Sequence, residues 1–344
     1  AAAMSGGAAA AALLDATAAS EAEEHWRRPA PGTPTNGADR PEPAGPRAAD
    51  LRRSVQRLLN RVCPENVSTI VEKLADIKLE DSEELAFVIG IVFKRALLDP
   101  HYSETYADLA FGLHAASPEL PVAGGNGQPR PFRALLLEVC RAEFEALPTS
   151  FEPTEEERAE YGPEDLELHM KKKKDRMLAF MRLLGNLFLR GLLSWHAVAA
   201  ALRDLSPAAG GAAGPLEHEV ECACELLSSV GATLQAEAAS GPLVAETCRR
   251  LAELKKSKTS AGKDAYCKRV QFVIQDLLEL REGGWVKKVF KSCAKTKEEI
   301  RCDAQHEEDL RSQGETGVLL AVAGQRPQTV AGAKVSWGEG EAAA

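Results

Sequence analysis

The chain has 344 residues, of which 44% are hydrophobic and only 5% aromatic, and its formal net charge is −9. This balance favours helices packed through Leu, Val and Ala over a sandwich of strands, and the charge argues against strong nonspecific binding of the whole chain to nucleic acid. About 50 residues at the start and about 40 at the end lack the apolar content of a packed core. We therefore expect a disordered arm over residues 1–48, one folded domain over 49–290 and a disordered tail over 291–344.

The N-terminal arm is rich in Ala, Gly, Pro and Glu, a mixture that buries too little apolar surface to offset the entropy of ordering. Trp26 is the exception, because it is a large apolar group in a segment with no core of its own. It is either an incidental residue of a tail or an anchor for a partner.

From Leu51 onward the apolar spacing becomes helical. A first helix ends before Pro64, which suits the start of a second helix because its missing N–H costs nothing there. A third helix follows the capping groups of Asp81 and Ser82, and Pro100 ends it. Tyr102 begins the partner of that third helix.

The middle of the chain combines helices with two insertions. A Pro- and Gly-rich loop over 117–128 precedes a helix from Phe132 to Phe144, and an acidic insertion over 148–163 follows it. A long helix then runs from about Glu164 to Leu189. Its early turns carry Lys171 to Lys174, and only its later turns are apolar, so we expect only its second half to be buried.

Further helical patterns cover residues 193–205, 216–234, 243–254 and 267–280. Helix pairs that recur at about 40–47 residues indicate a HEAT-type solenoid. The expected fold is all-α, with about five antiparallel helix pairs.

Positive charge is concentrated at one end of the chain. Between Arg249 and Lys297, fourteen Lys or Arg residues occur with five Asp or Glu residues. Taken singly, such Lys residues usually form a solvated face, but together they are candidates for RNA contact. No RNA-recognition, KH or zinc-knuckle signature accompanies them, so we expect contacts with phosphates and little sequence preference. The candidates are Lys255, Lys256, Lys258, Lys268, Arg269, Lys287 and Lys288.

Motifs for chemistry are missing from the sequence. There is no phosphate loop, GxSxG elbow, HExxH, DEAD or Walker motif, and the seven His residues are scattered. A Cys and a His could still meet in space as a nucleophilic pair, although no local motif favours one. We therefore predict a binding protein and no enzyme, with the surface of the solenoid as its functional part.

The eight Cys residues contain no CxxC pair, and no His stands at zinc-ligand spacing, so the sequence predicts no metal and no cofactor. No stretch approaches the roughly 18 uninterrupted apolar residues of a membrane span. These features lead us to expect a soluble cytoplasmic protein with reduced thiols.

Six segments stand out together and in unbroken order. They cover residues 51–66, 88–109, 132–145, 184–193, 221–231 and 269–286, and the last contains Gln275-Asp-Leu-Leu-Glu-Leu-Arg281 before Trp285. Together they resemble the middle domain of eukaryotic translation initiation factor 4G. Trp26 fits as well, because members similar to this chain carry a Trp followed by basic residues and Pro ahead of the first helix.

The resemblance implies a scaffold for translation initiation. In the family, the solenoid holds both lobes of the DEAD-box helicase initiation factor 4A near their closed arrangement and contacts mRNA and other initiation factors. Carried over to this chain, one helicase contact would comprise Trp26, Leu58, Leu59 and Asn60. The other would comprise Phe272, Gln275, Asp276 and Arg281. For Phe272, a place in the core is the alternative.

The chain also departs from the family. Gln271 stands where Arg is usual, the run Lys171 to Lys174 is unusually basic, and Tyr161 does not begin a motif for the cap-binding protein because Glu167 follows Leu166. We therefore expect a fragment or a short form. Related middle domains serve nonsense-mediated decay, cap-associated and repressor complexes, so an adaptor of that kind is the alternative function.

Overall fold

In a computed structural model of the chain, the described residues are 45–117, 130–206, 214–259, 262–288 and 320–337, with a few more between 297 and 305. Almost all of the regular structure in these residues is helical. The helices are α1 (Pro46–Leu59), α2 (Val67–Ala75), α3 (Ser82–Leu98), a 3-10 turn (Pro100–Tyr102), α4 (Ser103–Ala116), α5 (Phe132–Glu145), α6 (Glu155–Glu160), α7 (Pro163–Leu189), α8 (Trp195–Leu205), α9 (Glu217–Ala236), α10 (Gly241–Lys256) and α11 (Lys268–Glu282).

Local sequence signals fix several helix starts. The carboxylate of Asp81 accepts hydrogen bonds from the amides of Glu83 and Glu84 at 3.0 and 2.8 Å, which confirms the predicted cap of α3. Helix α2 begins at Val67, later than the predicted start at Pro64. Asn66 explains the difference, because its side chain accepts a hydrogen bond from the Cys63 amide, donates one to the Arg61 carbonyl and so holds a turn around Pro64.

The helices pack in two layers. In one layer α2, α4, α7, α9 and α11 each contact the next, and in the other α1 contacts α3 and α3 contacts α5. Rings of Phe144 in α5 and Phe180 in α7, with centroids 5.9 Å apart, join the layers. One hydrophobic core extends from Leu51 to Trp285. The predicted all-α fold of the HEAT type is confirmed.

Helix α7 changes character along its length. Residues 163–176 are exposed or half-buried, whereas Met177, Phe180, Met181 and Leu184 are buried. The expectation that only the second half is buried is therefore confirmed. The first half instead supports α6, a short helix in the acidic insertion that periodicity did not reveal, through an ion pair between Lys173 and Glu157.

Residues 320–337 differ from the disordered tail expected over 291–344. Strand β2 (Leu320–Val322) pairs antiparallel with β1 (Val286–Lys288), and a second small ribbon joins β3 (Thr329–Val330) to β4 (Ala333–Lys334). The segment packs on the solenoid, where the rings of Trp337 and Phe111 lie 6.3 Å apart. Arg326 also pairs with Glu237 at 3.3 Å. The few apolar residues of this segment pack against a surface that the helices already form. The segment can therefore be ordered without a hydrophobic core of its own.

Candidate partner-binding surface

Helix α11 divides its side chains between the core and the solvent. Its buried side consists of Val270, Ile274 and Leu277. The opposite side carries Lys268, Phe272 and Asp276, which are spaced four residues apart and therefore lie in one row along the helix. We call these three residues the α11 row.

Phe272 is 66% exposed, although it is a large aromatic residue in a helix whose other side is well buried. It is therefore not a core residue. Large exposed aromatics are a common feature of binding surfaces, where they act as anchors for a partner. Its role as a contact remains a prediction.

Gln275 connects the two sets of residues that the sequence singled out. Its side-chain oxygen accepts a hydrogen bond from the ammonium of Lys255, and its amide nitrogen donates to Glu279. A residue predicted to contact a helicase and a residue predicted to contact RNA thus touch each other. The two predicted surfaces are neighbours at the end of the solenoid.

Arg281 belongs to the turn that ends α11. Its Nε donates to Gln235 Oε1 at 3.2 Å, and Trp285 Nε1 donates to the same oxygen at 3.2 Å. The Trp285 ring is buried against Gly231, and its backbone adopts the left-handed region with φ 64°. This packing holds Arg281 in place, so that only part of its side chain faces solvent.

The predicted RNA-binding residues differ in exposure and in whether they already form an ion pair within the chain. Lys256 and Lys258 are exposed, and Lys268 is exposed but pairs with Asp264 at 2.8 Å, a hydrogen bond that lowers the pKa of Asp264. Arg269 pairs with the buried carboxylate of Glu221. Lys287 and Lys288 lie in strand β1, where their backbone pairs with β2.

The N-terminal candidates are less uniform. Trp26 lies outside the described residues. At the end of α1, Asn60 is exposed and Leu58 is half-buried, whereas Leu59 is 2% exposed and part of the core. Leu59 was expected to touch a partner, and the helical periodicity of α1 instead turns its side chain into the core. It can only support the position of its neighbours.

Sequence reasoning missed Glu221 altogether. This carboxylate is 5% exposed on α9, and it pairs with Lys174 of α7 at 2.8 Å as well as with Arg269 of α11. The sequence does contain a signal, because Glu221 stands three residues before the buried Cys224 and therefore on the core side of its helix. Charges at such positions are normally paired.

The described residues offer little for catalysis. Among them, no group of three or more His, Cys, Asp or Glu side chains could hold a metal ion. Burial raises the pKa of the Cys224 and Cys248 thiols, which disfavours the thiolate that a nucleophilic cysteine needs. None of the described helices is long and apolar enough to cross a membrane.

The two layers of helices and the exposed row at one end define a HEAT-type helical-repeat protein. The family model described as the MIF4G domain matches residues 52–283. The chain belongs to the MIF4G domain family, and the resemblance to the middle domain of initiation factor 4G is confirmed. The matched range lies within the 49–290 expected for the domain, whose boundaries remain a prediction.

Similar proteins include eukaryotic translation initiation factor 4G of Arabidopsis thaliana, 26% identical over 265 residues, and eukaryotic translation initiation factor 4 gamma 3 of Homo sapiens, 27% identical over 282 residues. These alignments cover 76% and 78% of this chain but 15% and 17% of those proteins. The chain thus spans less than a fifth of their length. A crystal structure of the MIF4G domain of Trypanosoma cruzi translation initiation factor EIF4G5 has a TM-score of 0.43 and 22% identity, covering 69% of this chain and 97% of that one.

Proposed function

We propose that the chain is a cytoplasmic scaffold for translation initiation, which binds and activates a DEAD-box helicase of the initiation factor 4A type and contacts mRNA. It supplies no catalytic group to the reaction. Membership of the MIF4G family and the similarity to initiation factors 4G support this proposal. The observation that carries it is the α11 row with its exposed Phe272.

The α11 row combines two kinds of contact. Phe272 offers an apolar anchor, and Asp276 one turn further offers an exposed carboxylate that forms no ion pair with any residue the structure describes. A cation on the helicase could therefore pair with Asp276 without displacing an internal partner. Gln275 and Arg281 flank the row and complete the proposed contact.

A second contact would lie at the other end of the solenoid. We place it at Trp26 together with Leu58 and Asn60, with Leu59 holding α1 in position. The continuous core between α1 and α11 makes the distance from Leu58 and Asn60 to the α11 row nearly fixed. A rigid spacer of this kind suits a partner with two lobes.

Activation then follows from differential affinity. A scaffold that binds both lobes only in their closed arrangement shifts the helicase toward that arrangement. The shift equals the difference in binding free energy between the closed and open conformers and requires no catalytic residue. Other initiation factors could dock on the remaining surface in the same manner.

The proposed contact is tested by calorimetric titration of purified initiation factor 4A with the full chain. Phe272→Ala and Asp276→Ala should each weaken binding at least tenfold, about 1.4 kcal/mol, as expected for an anchor at the centre of an interface. Leu98→Ala is the matched control, because Leu98 is 69% exposed on α3. Unchanged affinity, or a parallel loss of helicity by circular dichroism, would contradict the assignment.

A further inference from the structure

The basic run of α7 is not one uniform surface. Lys173 pairs with Glu157, and Lys174 pairs with Glu221, so both are committed to internal contacts. Lys171 and Lys172 are exposed and form no ion pair with any residue that the structure describes. Two cations of the run are therefore free to bind a ligand.

The buried carboxylate of Glu221 joins this run to α11. One of its oxygens binds the ammonium of Lys174 and the other binds the guanidinium of Arg269. Lys171 lies one helical turn before Lys174 on the same side of α7. Residues about a hundred positions apart in the sequence thus meet on one surface.

The same surface continues into the loop before α11. Lys268, which is adjacent to Arg269, pairs with Asp264 at 2.8 Å. Asp264 also forms a backbone bridge with Lys258, which places the loop cations beside the start of α11. Contacts therefore lead from Lys258 to Lys174, and Lys171 lies one helical turn before Lys174.

Three carboxylates between the loop and α7 are already occupied. Glu221 binds two cations, Asp264 binds Lys268, and Glu217 accepts hydrogen bonds from the amide and thiol of Cys267 at 2.7 and 3.3 Å. The hydrogen bond from the amide is the main reason why the pKa of Glu217 lies below its usual range. The exposed lysines that form no ion pair with any described residue are Lys171, Lys172, Lys256, Lys258 and Lys263. They outnumber the two exposed carboxylates without such a pair that flank Lys171 on α7, Glu167 and Asp175.

We infer that Lys171 and Lys172 extend the RNA-binding surface, so that one basic path from residues 255–258, at the end of α10, to α7 follows the phosphates of a single RNA strand. This inference rests on the proposed contact with mRNA and specifies how far that contact extends along the protein surface. RNA fits better than an acidic protein segment, because the free cations come from separate segments of the chain and all are Lys side chains, which bind phosphates as point charges.

The test uses the full chain and a fluorescent oligouridine of about 20 nucleotides, longer than the roughly 4–16 that one small site covers. The Lys171→Glu and Lys172→Glu double variant should lower affinity at least tenfold at low salt. It should also reduce the slope of log affinity against log salt by about 1.4, since each lost phosphate contact on a single strand contributes about 0.7. The matched control is Lys73→Glu with Lys78→Glu, two exposed lysines, one in α2 and the other in the loop that follows it.

A second double variant, Lys256→Glu with Lys258→Glu, separates this inference from the proposed mRNA contact. If the loop variant weakens RNA binding and the α7 variant behaves like the control, the extension is wrong and the mRNA contact stands. If the unaltered chain does not bind the oligouridine, both are wrong. An α7 variant that keeps its RNA affinity but loses binding of initiation factor 4A would assign Lys171 and Lys172 to a protein partner and overturn the inference.

Discussion

The two sides of helix α11 make different demands on the sequence. On one side, Ile274 is buried, and the turn after the helix places the Trp285 ring directly on Gly231 of α9. On the other side, Phe272 and Asp276 extend into solvent without a described partner. On the buried side the packing leaves no room for an added methyl group at Gly231. On the exposed side, Phe272 and Asp276 are not constrained by packing in this way.

Stability and the proposed binding should therefore depend on different sides of the same helix. Substitutions on the buried side should unfold the end of the solenoid, and substitutions in the α11 row should change affinity while the fold persists. A protein that binds through a row of exposed side chains can vary its partners without repacking its core. The predictions below test each side.

The largest expected effect is on the buried side. A Cβ added at Gly231 would overlap the Trp285 ring, so Gly231→Ala should destabilise the chain by about 3 kcal/mol in urea unfolding. Gly90→Ala in α3 is the matched control, because its Cβ would meet nothing within 4 Å. That change should stabilise by about 0.5–1 kcal/mol through helix propensity. Equal effects of the two substitutions would show that the Trp285 contact is not tight.

A smaller effect is expected at Glu221 of α9, whose carboxylate pairs with Arg269 near the start of α11. Glu221→Gln leaves Lys174 and Arg269 without their shared counter-charge, but the Arg269 side chain is 60% exposed and can turn into water. We therefore expect a loss of about 1–2 kcal/mol, less than the 3–5 typical of a fully buried pair.

The control for that change lies one turn along the same helix. Glu225 pairs with Arg182 in a half-exposed site, and Glu225→Gln should cost under about 1 kcal/mol. If Glu221→Gln costs no more than Glu225→Gln in the same urea unfolding experiment, the bridge between α7 and α11 contributes little to stability.

The smallest effect concerns α6 and α7, remote from α11. The hydrogen bond from Lys173 lowers the pKa of Glu157 to about 2, so this contact contributes stability above the unfolded value near 4.3 and loses it as the pH falls toward 2. Glu157→Gln should remove that part of the pH dependence of stability. At pH 7 it should cost only the stability that the ion pair with Lys173 contributes. An unchanged acid profile, followed by thermal unfolding between pH 5 and pH 2, would show that Glu157 has no such role.

Periodicity was sufficient to predict most of the helices, the half-buried α7 and the all-α fold, because burial of one helix side is a local property of the sequence. It did not predict that Glu221 pairs with cations from two distant helices, since partners nearly fifty residues away leave no local pattern. The ordering of 320–337 was missed for a related reason. Trp337 and Val330 are too few to form a core, and Val330 is buried and Trp337 half-buried only because α4 and its neighbours provide one.

The central claim is that the α11 row lets the chain activate a helicase by positioning it. The most direct test is the RNA-stimulated ATPase rate of purified initiation factor 4A with the full chain, with Phe272→Ala and with Leu98→Ala. We predict that the unaltered chain and Leu98→Ala stimulate the ATPase rate, whereas Phe272→Ala keeps its helicity but does not stimulate it. Neither binding nor stimulation by the unaltered chain would contradict the account and favour an adaptor of another MIF4G complex.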